Sequence, residues 1–104
     1  MKVYFSDTNQ SYVENQRVCY PIEVENQAIR NLKSTSAFLW FYLIGHSDER
    51  PFVCRPADFS KDTGLSRTSF YRAVEEMIEQ KYLVPVPYKE ESYMFYETPK
   101  EEAE

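Results

Sequence analysis

Within one short stretch the chain gathers Ser66, Arg67, Thr68, Ser69, Tyr71 and Arg72, all of them donors or cations. The Ser66 hydroxyl can accept from an amide one turn on, which makes it an N-cap and predicts a helix from Arg67. Beyond it Phe70, Ala73, Val74, Met77 and Ile78 fall at the offsets of one helical face, which is expected to be buried. Thr68, Ser69, Arg72, Glu75, Glu76 and Glu79 then project the other way, with Arg67 and Tyr71 on the flank. The first two turns are cationic and hydroxylic, and the rest of that face is acidic. Donors gathered at the start of a helix suit phosphate oxygens and base edges.

Other chemistries find little support. His46, the only histidine, sits in a polar loop without Cys or Asp at ligand spacing, so no metal is expected. The Ser, Asp and Glu residues form no nucleophile constellation, and two glycines cannot build a phosphate-cradling loop. Neither an enzyme nor a cofactor is expected. Trp40 and its aromatic neighbours read as core. Tyr88, Tyr93 and Tyr96 read either as a protein interface or as cover for the core.

The 104 residues fit one domain, and an apolar content of 42% is too high for a disordered chain. No apolar run nears the roughly 20 residues of a membrane span. The start, MKVYFSDTNQ, lacks the apolar stretch of a secretory signal. Cys19 and Cys54 have no metal spacing and are expected to be reduced thiols of a cytoplasmic protein. The net charge is −5 but unevenly spread. Residues 55–72 carry Arg55, Lys61, Arg67 and Arg72 against Asp58 and Asp62, a balance of +2. Residues 1–54 stand at −1 and residues 73–104 at −6. Phosphate affinity depends on the local charge, so this map permits nucleic acid without demanding it.

The elements that must position these residues follow from the flanking pattern. Residues 2–5 and 17–22 read as short strands of an N-terminal arm spanning 1–22, paired with each other or disordered. Residues 23–33 form an amphipathic segment with Ala28, Ile29 and Leu32 inward. Ser34, Thr35 and Ser36 offer a start to the apolar run 37–44, the expected core helix, with Gly45 as a left-handed cap. Residues 51–55 are extended, and Pro56 opens a helix of about two turns with Ala57 and Phe59 against the core. Gly64 is the hinge into the helix after Ser66. Residues 83–88 and 93–97 make a β-hairpin, its first strand a proline-marked edge. Residues 98–104 are an acidic, mobile tail.

Two stretches carry a resemblance. Residues 57–74, ADFSKDTGLSRTSFYRAV, look like the x-x-L-A-x-x-T-G-L-S-R-x-T-V-x-R-A-L run of bacterial regulators. Residues 75–83 resemble that family's exit into its hairpin, and 32–44 the first helix of plasmid, phage and primosome-loading replication proteins. Phe59 and Phe70 replace the usual Leu and Val, Tyr82 stands where Gly is common, and the hairpin tip KEES carries two acids. The chain thus resembles a winged helix-turn-helix domain over residues 23–97. The resemblance implies an α+β fold, with a three-helix core, a C-terminal hairpin wing and an N-terminal β arm. It further implies that Arg67, Thr68 and Ser69 face bases of double-stranded DNA, with Tyr71 and Arg72 on bases or phosphate. Ser66 would donate to phosphate, while Lys61 and Arg55 neutralise the backbone.

Two functions follow as expectations. One is sequence-specific DNA binding, in transcriptional regulation or replication control of a bacterial, plasmid or phage genome, with a homodimer on a palindromic site. The other is a protein-interaction module whose partner meets the acidic helix face or the hairpin tyrosines.

Overall fold

The chain, described by a computed structural model over residues 1–100, is a mixed α+β fold. Its elements in order are β1 (Lys2–Phe5), β2 (Tyr12–Glu14), β3 (Arg17–Cys19), α1 (Ile22–Asn31) and α2 (Ser34–Ile44). Then come β4 (Phe52–Val53), α3 (Pro56–Thr63), α4 (Arg67–Glu79), β5 (Leu83–Pro85) and β6 (Ser92–Phe95). No helix among the described residues is long and apolar enough to cross a membrane.

α2 is the centre of the core. Leu39, Trp40 and Leu43 are fully buried and Ile44 nearly so, and α4 packs along it through Phe70, Ala73 and Met77. Its start differs from expectation. The Ser34–Ser36 hydroxyls cap nothing; the Glu76 carboxylate of α4 accepts from the Lys33 amide at 2.9 Å, at the N-cap position of α2. Glu76 is thus not a free surface acid. Gly45 ends α2 in right-handed geometry, φ −63°, not the left-handed cap expected. On α1 the inward residues are Val24 and Ala28, with Leu32 just beyond, while Ile29 is 53% exposed. Ala57 of α3 is likewise exposed, and Phe59 carries that helix into the core.

The N-terminal segment is the main departure from expectation. β1 does not pair with residues 17–22. It lies between β4 and β6, giving the sheet order β4-β1-β6-β5. β1 runs parallel to β6, with Val3 opposite Tyr93 and Phe5 opposite Phe95, and antiparallel to β4. Val3 is fully buried. β2 and β3 form a separate ribbon turning at Asn15 and Gln16, both in left-handed geometry. Glu97, only 3% exposed, ties the segment between β1 and β2 to the end of β6. Its Oε1 accepts from the Gln10 and Ser11 amides, its own amide donates to Asn9 Oδ1, and its carbonyl accepts from Trp40 Nε1 at 3.0 Å. The expected hairpin is present as β5–β6. Just past it the Lys100 amide donates to the Lys81 carbonyl. The rest of the expected tail, 101–104, lies outside the described residues.

Both cysteines are free, Cys19 exposed and Cys54 fully buried. Burial pushes the Cys54 thiol up to about 12 against the opposing pull of the N-terminal amine. Thiol titration at pH 8 is therefore expected to show one fast group, Cys19, and a second only on unfolding. The folded pKa lies above the unfolded one, so stability from Cys54 is complete below pH 9 and lost as pH rises towards 12. Two fast thiols in the native protein would contradict the burial of Cys54.

Candidate nucleic-acid interface

α3 and α4 are joined by Gly64, Leu65 and Ser66. Gly64 ends α3 at φ 78°, a left-handed conformation open to glycine at little cost, and its amide returns to the Ser60 carbonyl. The Thr63 hydroxyl donates to the Phe59 carbonyl at 2.6 Å and accepts from the Leu65 amide at 3.2 Å, which stiffens the turn. Ser66 caps α4 as its sequence position requires, accepting from the Ser69 amide at 3.1 Å. Its own proton goes to Ser69 Oγ at 3.0 Å. Phe70 and Phe59 rings lie 5.1 Å apart and lock α3 to α4 from below.

This frame sorts the predicted residues. Arg67, Thr68, Tyr71 and Arg72 are exposed, with Tyr71 at 57%. Arg67 and Tyr71 are one turn apart, as are Thr68 and Arg72, so the four share one solvent-facing surface. Neither Arg67 nor Arg72 has an ion pair or hydrogen bond among the described residues. Ser66 is exposed and Ser69 half-buried, and both hydroxyls are engaged in the cap.

The two outlying cations differ from each other. Arg55 precedes α3, and its guanidinium pairs with Asp58 one turn on at 3.6 Å. Both groups are well exposed, so the pair is weak and easily exchanged. Pro56, beside Arg55, lines a cleft of about 320 Å³ with Tyr71, Val74, Glu91 and Tyr93. The start of α3 and the β5–β6 hairpin therefore flank α4 on the Tyr71 side. Lys61 lies in the last turn of α3, exposed and without a polar partner among the described residues.

Sequence spacing alone could have exposed the Arg55–Asp58 pairing, an i,i+3 contact of opposite charges. It could not have placed Glu91 and Tyr93 beside Tyr71, since that depends on how the hairpin packs. The hairpin tyrosines divide. Tyr88 is wholly exposed in left-handed geometry, φ 64°, whereas Tyr93 is half-buried against the core and Tyr96 lies under the Lys100 ammonium. Tyr42, by contrast, serves the frame: burial, then its 2.8 Å bond to Asp62, drive its phenol far above the usual range.

Removing the cap tests the frame. Ser66→Ala is expected to cost about 1 kcal/mol, lowering the melting midpoint by about 4–8 °C. Differential scanning calorimetry checks this, and an unchanged midpoint would mean that Ser66 does not cap α4.

In comparison with known proteins, no family model, curated protein or solved structure matches the chain.

Proposed function

We propose that the chain is a winged helix-turn-helix protein that binds double-stranded DNA in a sequence-specific way. It would act in the cytoplasm in transcriptional regulation or replication control of a bacterial, plasmid or phage genome. α4 is the helix that enters the major groove, and β5–β6 is the wing. The carrying observation is that Arg67 and Arg72, without an ion pair or hydrogen bond among the described residues, stand beside Thr68 and Tyr71 on the exposed surface of a capped helix. An exposed guanidinium fork at a helix tip is free to bond a guanine edge bidentately. Glu75, Glu76 and Glu79 line a hollow with Arg72, and Glu91 lies beside Tyr71, so the cationic part of α4 is its first turn.

The test is fluorescence anisotropy with a random-sequence duplex and a duplex enriched by selection, over a salt series. Four available cations predict a fall of log affinity with log salt of slope about −2 to −4. Preference for the enriched duplex with that slope supports the proposal. No binding at the lowest salt would sink it.

The alternative, a winged-helix protein-interaction module, is favoured by one observation. Phe38 is 52% exposed and borders an open apolar hollow of about 390 Å³ with Phe41, Tyr42 and Leu65. Under that reading Phe38→Ala disrupts an assembly that Arg67→Ala leaves intact.

A further inference from the structure

Two hollows meet at the tip of the β5–β6 hairpin, and Glu91 borders both. On the α4 side is the cleft of about 320 Å³ with Pro56, Tyr71 and Tyr93. On the other side is an open hollow of about 530 Å³, bordered also by Lys2, Lys89 and Glu90. Glu91 therefore stands between the candidate DNA-reading helix and a pair of lysines. Its backbone is fixed there, with φ at 52° and its carbonyl accepting from the Lys2 amide at 2.8 Å. Lys2, Lys89, Glu90 and Glu91 are all exposed, and no ion pair joins them among the described residues.

Exposed lysines beside a groove-entering helix are what a hairpin needs to meet the flanking phosphates. Here two carboxylates lie with the two lysines around one hollow. A phosphate approaching the lysines comes as near to the carboxylates, and attraction and repulsion offset each other. Lys89 is further held aside, its ammonium 4.9 Å from the centre of the Tyr4 ring. The amine of Met1, which borders the same hollow, donates to the Cys54 carbonyl at 3.0 Å. Neither the Glu90 nor the Glu91 carboxylate makes a hydrogen bond or ion pair among the described residues, so the fold does not depend on their charge.

We propose that Glu90 and Glu91 mask the hairpin lysines, so that β5–β6 stays off the phosphate backbone and the chain holds DNA through α3 and α4 alone. The inference rests on the DNA reading of α4. Phosphate contacts carry no sequence information, so the mask lowers affinity for every duplex alike. A larger share of the binding then comes from base contacts at the first turn of α4.

The test removes the acids and keeps the fold. Glu90→Gln combined with Glu91→Gln changes two exposed side chains and should leave the melting midpoint where it is. By fluorescence anisotropy at low salt, this variant is expected to bind the random-sequence duplex about three- to tenfold more tightly than wild type. Two lysines now meeting phosphate steepen the salt slope by up to about 2. Adding Lys2→Gln and Lys89→Gln returns affinity and slope to those of the wild type. Glu14→Gln combined with Glu23→Gln makes the same change of net charge on the β2–β3 ribbon and α1, and is expected to gain less than about twofold. Wild-type affinity and slope in the Glu90→Gln, Glu91→Gln variant, when the wild type itself binds, would overturn the inference and leave the DNA reading standing. So would an equal gain in the Glu14→Gln, Glu23→Gln control. A wild type and a variant that both fail to bind at the lowest salt would overturn the DNA reading and this inference with it.

Discussion

Val3→Asp is expected to leave the chain unfolded at room temperature. Val3 is fully buried in the middle of β1, opposite Phe52 on one side and Tyr93 on the other. Its apolar side chain contributes about 1.5–3 kcal/mol by burial. A carboxylate without a partner at that depth costs several kcal/mol more. Together these approach the roughly 5–15 kcal/mol that holds a typical domain folded. Far-ultraviolet circular dichroism and a thermal melt check the outcome, with Val3→Ile as the volume-tolerant control. If Val3→Asp melted cooperatively within a few degrees of the wild type, β1 could not lie in the sheet.

Arg67→Ala is expected to weaken binding to the enriched duplex by about 5- to 150-fold, the roughly 1–3 kcal/mol of one bidentate base contact. The loss should be largest at one base position of the site, where substitutions of the DNA then cease to matter. Arg67 is exposed and has no ion pair or hydrogen bond among the described residues, so its removal should change stability by no more than about 0.5 kcal/mol. Arg72→Ala separates the two kinds of contact. If that guanidinium meets phosphate, affinity falls evenly across sequences and the salt slope flattens by about 1. Glu79→Ala, on the distal turn of α4, is the control. Equal anisotropy curves for Arg67→Ala and wild type would remove α4 from the DNA proposal.

The local parts of this architecture are readable from the residues. Pro56 at the start of α3, the turn at Gly64 and the Ser66 cap are decisions taken within a few residues of chain, and all three stand as expected, while the left-handed geometry expected at Gly45 is found at Gly64 instead. The hairpin after α4 is equally local, announced by two β-rich runs around a turn. What the residues do not reveal is the choice of partners at long range. Residues 2–5 read as strand and form one, but nothing in them distinguishes residues 17–22 from β6 as a neighbour. The start of α2 departs from expectation for the same reason. Three hydroxylated residues make a plausible local cap, and the group that takes the amide is Glu76, on another helix. Ile29 misleads because a short amphipathic helix has more apolar positions than its narrow contact with α2 can cover.

The candidate interface follows the same division. Which residues lie on α4 can be counted along the chain. Which hydroxyls remain free cannot: Ser66 and Ser69 satisfy each other, leaving Arg67, Thr68, Tyr71 and Arg72 as the available groups.

The placement of β1 beside β6 also sets the order of events during synthesis. Lys2 pairs with Ser92, so β1 leaves the ribosome about ninety residues ahead of its partner β6. At about 5–20 residues per second, Val3 and Phe5 wait for several seconds or more before their place in the sheet exists. During that interval α2, α3 and α4 can already pack, since their contacts are close in sequence. The sheet closes afterwards, at the cost of a long loop and at a correspondingly slower rate. A nascent chain stalled just short of β6 should therefore hold its helices while leaving β1 open to proteolysis.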